Sequence, residues 1–130
     1  MITMRFFVEP RPMTAEELLA RYAAGEREFP GAHIEAADLC GAMLARSNLF
    51  GARLQNADLR NADLTGSYLG SAILSNSDLT GAQLRESDLG LADLRGAWLR
   101  GAHLTRVSWR GADLRGADID PGELAGHTTY

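Results

Sequence analysis

ADLRNADLTG, residues 57–66, sets one five-residue phrase twice end to end: Ala-Asp-Leu and two variable positions. The phrase is a window on a longer pattern. Stepping by five from Leu39, positions 34 to 124 hold sixteen Leu together with Ile34, Trp109 and Ile119. Two places earlier stand thirteen Ala, Ser47, Ser67, Ser77, Ser87, Val107 and Gly122. The place just before Leu is mostly polar, with Asp at 38, 58, 63, 78, 88, 93, 113 and 118. No insertion breaks the phase, so the repeat governs most of the chain.

A period of five matches neither a helix nor a flat strand. It needs a bend in every unit, with a small and a large residue turned inward. A coil with flat sides, one pentapeptide per side, meets that need when successive turns stack through backbone hydrogen bonds. Ser47, Ser67 and Ser87 recur at twenty residues, as do Asp38, Asp58 and Asp78, with Asp118 two steps later. Twenty residues are four pentapeptides, which suggests a four-sided coil. Ser77 and the remaining Asp residues do not follow that longer period.

The A(D/N)LXX pattern over residues 32–126 resembles the pentapeptide repeat family. The resemblance implies an all-β solenoid, a right-handed quadrilateral β-helix with Leu and the small residue inside. Phe29 is in phase with the Leu column and brings the expectation to about five coils. At the ~4.8 Å spacing of paired strands the rod would be roughly 24 Å long.

A solenoid needs its ends covered. MTAEELLARYAAG (13–25) predicts a short helix over about 14–24. Thr14 and Glu17 form a capping box, Met13 can staple onto Leu18, and Gly25 suits the position after the last turn. RYAAGEREFPGAHI is also similar to the lead-in of cyanobacterial family members, which carry an N-terminal capping helix. The expected organisation is an N-terminal extension with its helix over 1–28, the β-helix over 29–126, and a tail over 127–130. Residues 1–12, with Ile2, Met4, Phe6 and Val8 alternating, either add a strand or stay loose. Val107 and Trp109 are large for their slots, and Pro121 lacks an N–H, so the last coil is expected to be widened or irregular. No helix signal follows Ala125, which leaves GHTTY or a neighbouring copy to cover that end.

Several function classes drop out. No apolar run approaches the ~20 residues of a membrane-spanning helix, and the start is too short in apolar residues for a signal peptide. A single cysteine, Cys40, excludes an internal disulfide and fits a reducing, cytoplasmic setting. His33, His103 and His127 lack ligand spacing, so neither a metal nor a cofactor is expected. No nucleophile–base pair or phosphate loop stands out, and a rod offers no cleft to exclude water. The chain does not read as an enzyme. All 13 basic residues are Arg, and the net charge is −4. Residues 80–126 hold seven acids against six Arg, a mixed surface rather than a nucleic-acid patch.

Two groups of outward residues remain. Asp38, Asp58, Asp78 and Asp118 form a candidate acidic column, with Trp98 where a fourth consecutive carboxylate would stand. The column reads either as a metal ladder or phosphate mimic, or as Asp bonding to nearby backbone at the corners. Arg60 and Arg100 share that side and can pair with it. Phe50, Tyr68 and Leu91 share another side, with Ile73 on the next and Trp98 opposite. Phe50, Tyr68, Leu91 and Trp98 form a candidate partner-contact surface, the alternative being surface decoration.

The expected function is that of a non-enzymatic protein-interaction or scaffold module, with another protein as partner. A monomer is expected, with weak end-to-end association of C-terminal coils as the alternative. The resemblance implies a second reading, since some family members mimic duplex DNA, bind type II topoisomerase (gyrase) and give inhibitor resistance. Charge counts against it. Roughly 24 Å of duplex carries about 14 negative charges, whereas residues 32–126 carry twelve acids and nine Arg, a net of −3.

Overall fold

A five-residue unit presents five backbone N–H groups that must find acceptors. In the computed structural model, which describes residues 12–123, four of the five N–H groups are met by backbone. The Leu position donates to the carbonyl before Leu one coil further on, as Leu39 does to Asp58 at 2.8 Å. The last position does likewise, Gly41 donating to Arg60 at 2.8 Å. The position before Leu donates backwards, Asp58 to Ala37 at 2.9 Å. The small position closes a turn on the Leu of the preceding unit, Ala42 to Leu39 at 3.0 Å.

In eight units the fifth N–H, just after Leu, is met by a side chain. Asp38, Asn48, Asp58, Asp63, Asp78, Asp88, Asp93 and Asp113 each accept through Oδ1 from the N–H two residues on. These are Asx turns, and they explain why the slot before Leu favours Asp and Asn.

Partners stand twenty residues apart: Asp38 with Asp58, Met43 with Asp63, Asn48 with Tyr68, and Arg53 with Ile73, all parallel. Four pentapeptides therefore complete one coil, as the twenty-residue recurrence of Ser and Asp suggests. Among the described residues continuous strands do not form, which refines the all-β expectation. Each side contributes single parallel bridges, because turns on both flanks leave one residue per unit to pair. The last position of every unit from 31 to 116 has positive φ, filled by nine glycines and nine other residues. Asn56, Asn61 and Asn76 are among the latter, and Asn tolerates this region well.

The Leu column is one buried stack from Ile34 to Leu104, with Ala or Ser beside it. Ser77 and Ser87 hydroxyls donate to the carbonyls of Leu74 and Leu84 at 2.7 and 2.6 Å. The buried Ser47 and Ser67 hydroxyls have no hydrogen-bond partner among the described residues.

At the N-terminal end, α1 (Ala15–Ala23) carries the capping box expected of Thr14 and Glu17. It buries Leu18 fully, with Met13, Leu19 and Tyr22 packed partly against the core. Tyr22 Oη donates to Ala45 O at 2.8 Å, and the Arg27 guanidinium lies 3.6 Å over the Tyr22 ring. Pro12 bridges His33, so extended chain lies beside the first coil just before the helix. The alternation in 1–11 lies outside the described residues.

At the other end the expected irregularity does not disturb the register. Trp109 and Val107 are buried, while Ser108, Asp113 and Asp118 still bridge the coil above. The regular ladder stops at Asp120. Gly101 N–H, which by the pattern would donate to the Asp120 carbonyl, donates instead to Asp120 Oδ2 at 2.8 Å. Ala112, Leu114, Ala117 and Ile119 are only partly buried there. Leu124 and the GHTTY tail lie outside the described residues.

Candidate functional site

Two sides of the coil carry the sequence-predicted residues. On the first, Asp38, Asp58, Asp78, Trp98 and Asp118 follow one another coil by coil as bridge partners. The carboxylates are not a free anionic stripe. Asp38, Asp58 and Asp78 accept from their own chain, and Thr80 Oγ1 adds a 2.6 Å bond to Asp78. Arg60 grips Asp58 with two bonds of 2.9 and 2.7 Å and reaches 4.0 Å from Asp78. That guanidinium holds the Asp58 carboxyl below the usual carboxylate range. Asp118 departs from the local turn and instead accepts from Arg100 Nε in the coil above at 2.8 Å. Among the described residues no group of three His, Cys, Asp or Glu is placed to hold a metal ion.

The neighbouring C-terminal Arg residues follow the same rule. Arg95 pairs with Asp93, and Arg115 with Asp113, which is drawn down to about 2 by that hydrogen bond. Arg106 pairs with Glu86. These exposed pairs make a mixed surface.

The opposite side is different. Phe50 and Tyr68 bring their rings to 5.3 Å between centroids, tilted by 35°. They stand at the head of a groove of about 300 Å³ that runs over Gly70 and Gly90 to Leu91 and Arg110. Gly70 and Gly90 occupy the position after Leu in two consecutive coils, and neither has positive φ. Elsewhere on this side the same position holds Phe50 and Arg110. Gly70 is required by space, since a Cβ there would lie 2.8 Å from Tyr68 Cε1. Gly90 has only Asp88 Oδ1 close, at 3.1 Å, an arrangement that other units combine with a long side chain in the same position.

Leu91 reverses the logic. It occupies the positive-φ position at +60°, where glycine would be easy, and its side chain is 69% exposed. An exposed leucine held in the left-handed region costs ~1–2 kcal/mol in backbone strain. Its burial returns little of that.

Phe50, Tyr68 and Leu91 are thus brought to one groove, and Trp98 is not. Trp98 stands alone in the acidic column, 48% exposed. Ile73 is half-buried on the adjoining side, whereas Met43, which outward apolar residues in the sequence did not single out, is 64% exposed. Gly70, Gly90, Asp88 and Arg110 were also missed. The signal was present: reading the position after Leu down one side gives Phe, Gly, Gly, Arg at 50, 70, 90 and 110.

The pentapeptide repeat family model matches residues 28–66, 62–101 and 92–120. A pentapeptide repeat protein from the Arabidopsis thaliana thylakoid lumen superposes with a TM-score of 0.73 at 28% identity, over 76% of this chain and 69% of that one. A pentapeptide repeat protein from Nostoc PCC 7120 gives 0.52 at 30% identity, over 91% and 94%. HetL from the same Nostoc strain, a pentapeptide repeat protein involved in heterocyst differentiation regulation, gives 0.47 at 36% identity, and this chain spans 48% of it. The curated proteins yield no match.

Proposed function

Since the chain belongs to the pentapeptide repeat family, whose members wind as right-handed quadrilateral β-helices, we propose that it is a non-enzymatic interaction module working through its Tyr68 side. In this reading about five coils form a rigid stand, α1 caps the N-terminal end, and the protein is a monomer. The observation that carries it is Leu91, an exposed apolar side chain on strained backbone beside an exposed Phe50–Tyr68 pair. Folding gains little from Leu91, whereas a grouped aromatic and aliphatic patch is what a protein partner buries.

The topoisomerase-binding reading has weaker support. A DNA mimic needs an uncompensated anionic surface, and Arg60 and Arg100 are paired into the acidic column of this chain. The test is a pull-down from the native cell with the intact protein, Tyr68→Ala and Trp98→Ala. We expect a partner that is lost with Tyr68→Ala and kept with Trp98→Ala. The reverse pattern would move the working surface to the acidic side.

A further inference from the structure

From the Tyr68 groove we infer a ligand class: an extended peptide that seats an apolar side chain between the Phe50–Tyr68 rings and Leu91, beside Gly90, and places a carboxylate on Arg110. The inference rests on the reading of this side as the contact surface.

The first support is what the glycines leave open. The position after Leu carries Arg, Thr, Phe or another side chain nearly everywhere; Gly70 makes room for the Tyr68 and Phe50 rings, but nothing in the backbone at 90 calls for glycine. The missing side chain at Gly90 opens the floor between the Phe50–Tyr68 pair, which covers Gly70, and Leu91. Aromatic rings at one end and an aliphatic wall at the other suit a Leu-, Ile- or Phe-sized insert.

The second support is charge. Arg60, Arg95, Arg100 and Arg115 occupy the same position as Arg110, and each is paired with an aspartate. Arg110 has Ser108 where its own aspartate would stand, and its guanidinium has no ion pair or hydrogen bond among the described residues. Arg110 is exposed and is part of the groove lining. The groove's own anion, Asp88, is folded onto Gly90 N–H at 2.9 Å. It repels a ligand carboxylate from the middle of the floor and leaves the Arg110 end as its place.

Spacing then fixes the motif. The midpoint of Gly70 and Gly90 is one and a half coils from Arg110, about 7 Å at ~4.8 Å per coil. Alternate residues of an extended peptide are also about 7 Å apart and point the same way. The ligand is therefore an apolar residue and an Asp or Glu separated by one residue.

A phage library of random dodecapeptides selected on the full-length protein tests this. We expect enrichment of an apolar residue and an acid two places apart. A synthetic peptide from the selection should bind Arg110→Glu at least about tenfold more weakly, and replacing its acid by Lys should restore binding to that variant. Gly90→Leu should block the floor. Arg110→Glu alters an exposed side chain, so it gives a result even if Gly90→Leu folds poorly. Peptides lost on Tyr68→Ala but indifferent to Arg110→Glu would overturn the proposed ligand class and leave the contact surface standing. Enrichment of nothing, or of peptides indifferent to Tyr68→Ala as well, would overturn the groove, and the pull-down would then judge the wider reading separately.

Discussion

Leu91 and the inward serines show how single residues depart from what the repeat asks of them. At φ +60° and mostly exposed, Leu91 is a site where glycine relieves strain. Leu91→Gly should raise stability by up to about 1 kcal/mol in urea unfolding, while weakening capture of the partner. Stability and binding moving the same way would sink the idea that this leucine is kept for contact. The serines differ among themselves. Ser67 is buried with its hydroxyl unmatched, so Ser67→Ala should be neutral or stabilising by about 1 kcal/mol, alanine being the usual occupant of that slot. Ser87 donates to Leu84 O, and Ser87→Ala should cost about 0.5–1 kcal/mol. Equal effects from the two would show that the hydroxyl bonds are not what separates them.

The pentapeptide is the element of this fold, and its aspartate has two jobs that a pH series can separate. One is to accept the N–H two residues on, which Asn48 shows an amide also does. The other is to pair with arginine, which lowers the Asp93 and Asp113 carboxyls from their ordinary 3.8, the latter to about 2. A carboxylate lowered on folding contributes stability above its unfolded value and loses it as pH falls through the folded one. Stability should therefore fall between about pH 4 and pH 2. Converting both residues to Asn should flatten part of that decline and lower the neutral-pH midpoint by the same contribution, which is small because the pairs are exposed. Because the pairs are exposed, 0.5 M salt should flatten it too. A decline that is unaltered in the double variant would assign the acid sensitivity to other groups. At this scale the sequence was highly legible, because each slot of the unit answers one local demand. The Leu column, the Asx turns and the capping box of Thr14 and Glu17 all followed from spacing. The groove did not, since it is made by side chains that are missing, and a missing side chain shows only when one side is read down the coils. Trp109 was misjudged for a related reason. Trp109 lies near an end where Leu114 and Ile119 are only partly covered, and a large side chain fits there without breaking the register.

For the molecule as a whole, the ends decide whether the stack is sealed. Leu18 is fully buried against the first coil, where Phe29 and Ile34 are also buried. Removing residues 1–25 would expose that apolar end together with its unpaired edge. We expect aggregation, or a melting temperature lowered by more than 10 °C, read by light scattering and circular dichroism. A truncated protein that stays monomeric and melts unchanged would show that α1 is an ornament rather than a lid.

Apart from the turns within a coil, the backbone bonds of each coil run only to the coils directly above and below. The molecule therefore behaves less like a globule than like a short zipper, whose teeth hold only while their neighbours do. Opening begins at the tips and travels inward. The lifetime of any amide is then set by its distance from the nearer tip, not by the strength of its own bond. The groove spans Phe50 to Arg110, so one rim reaches into the long-lived centre and the other lies where the zipper first parts. A ligand lying across both would clasp the fraying end to the firm middle, and its grip would register as extra life for coils it never touches.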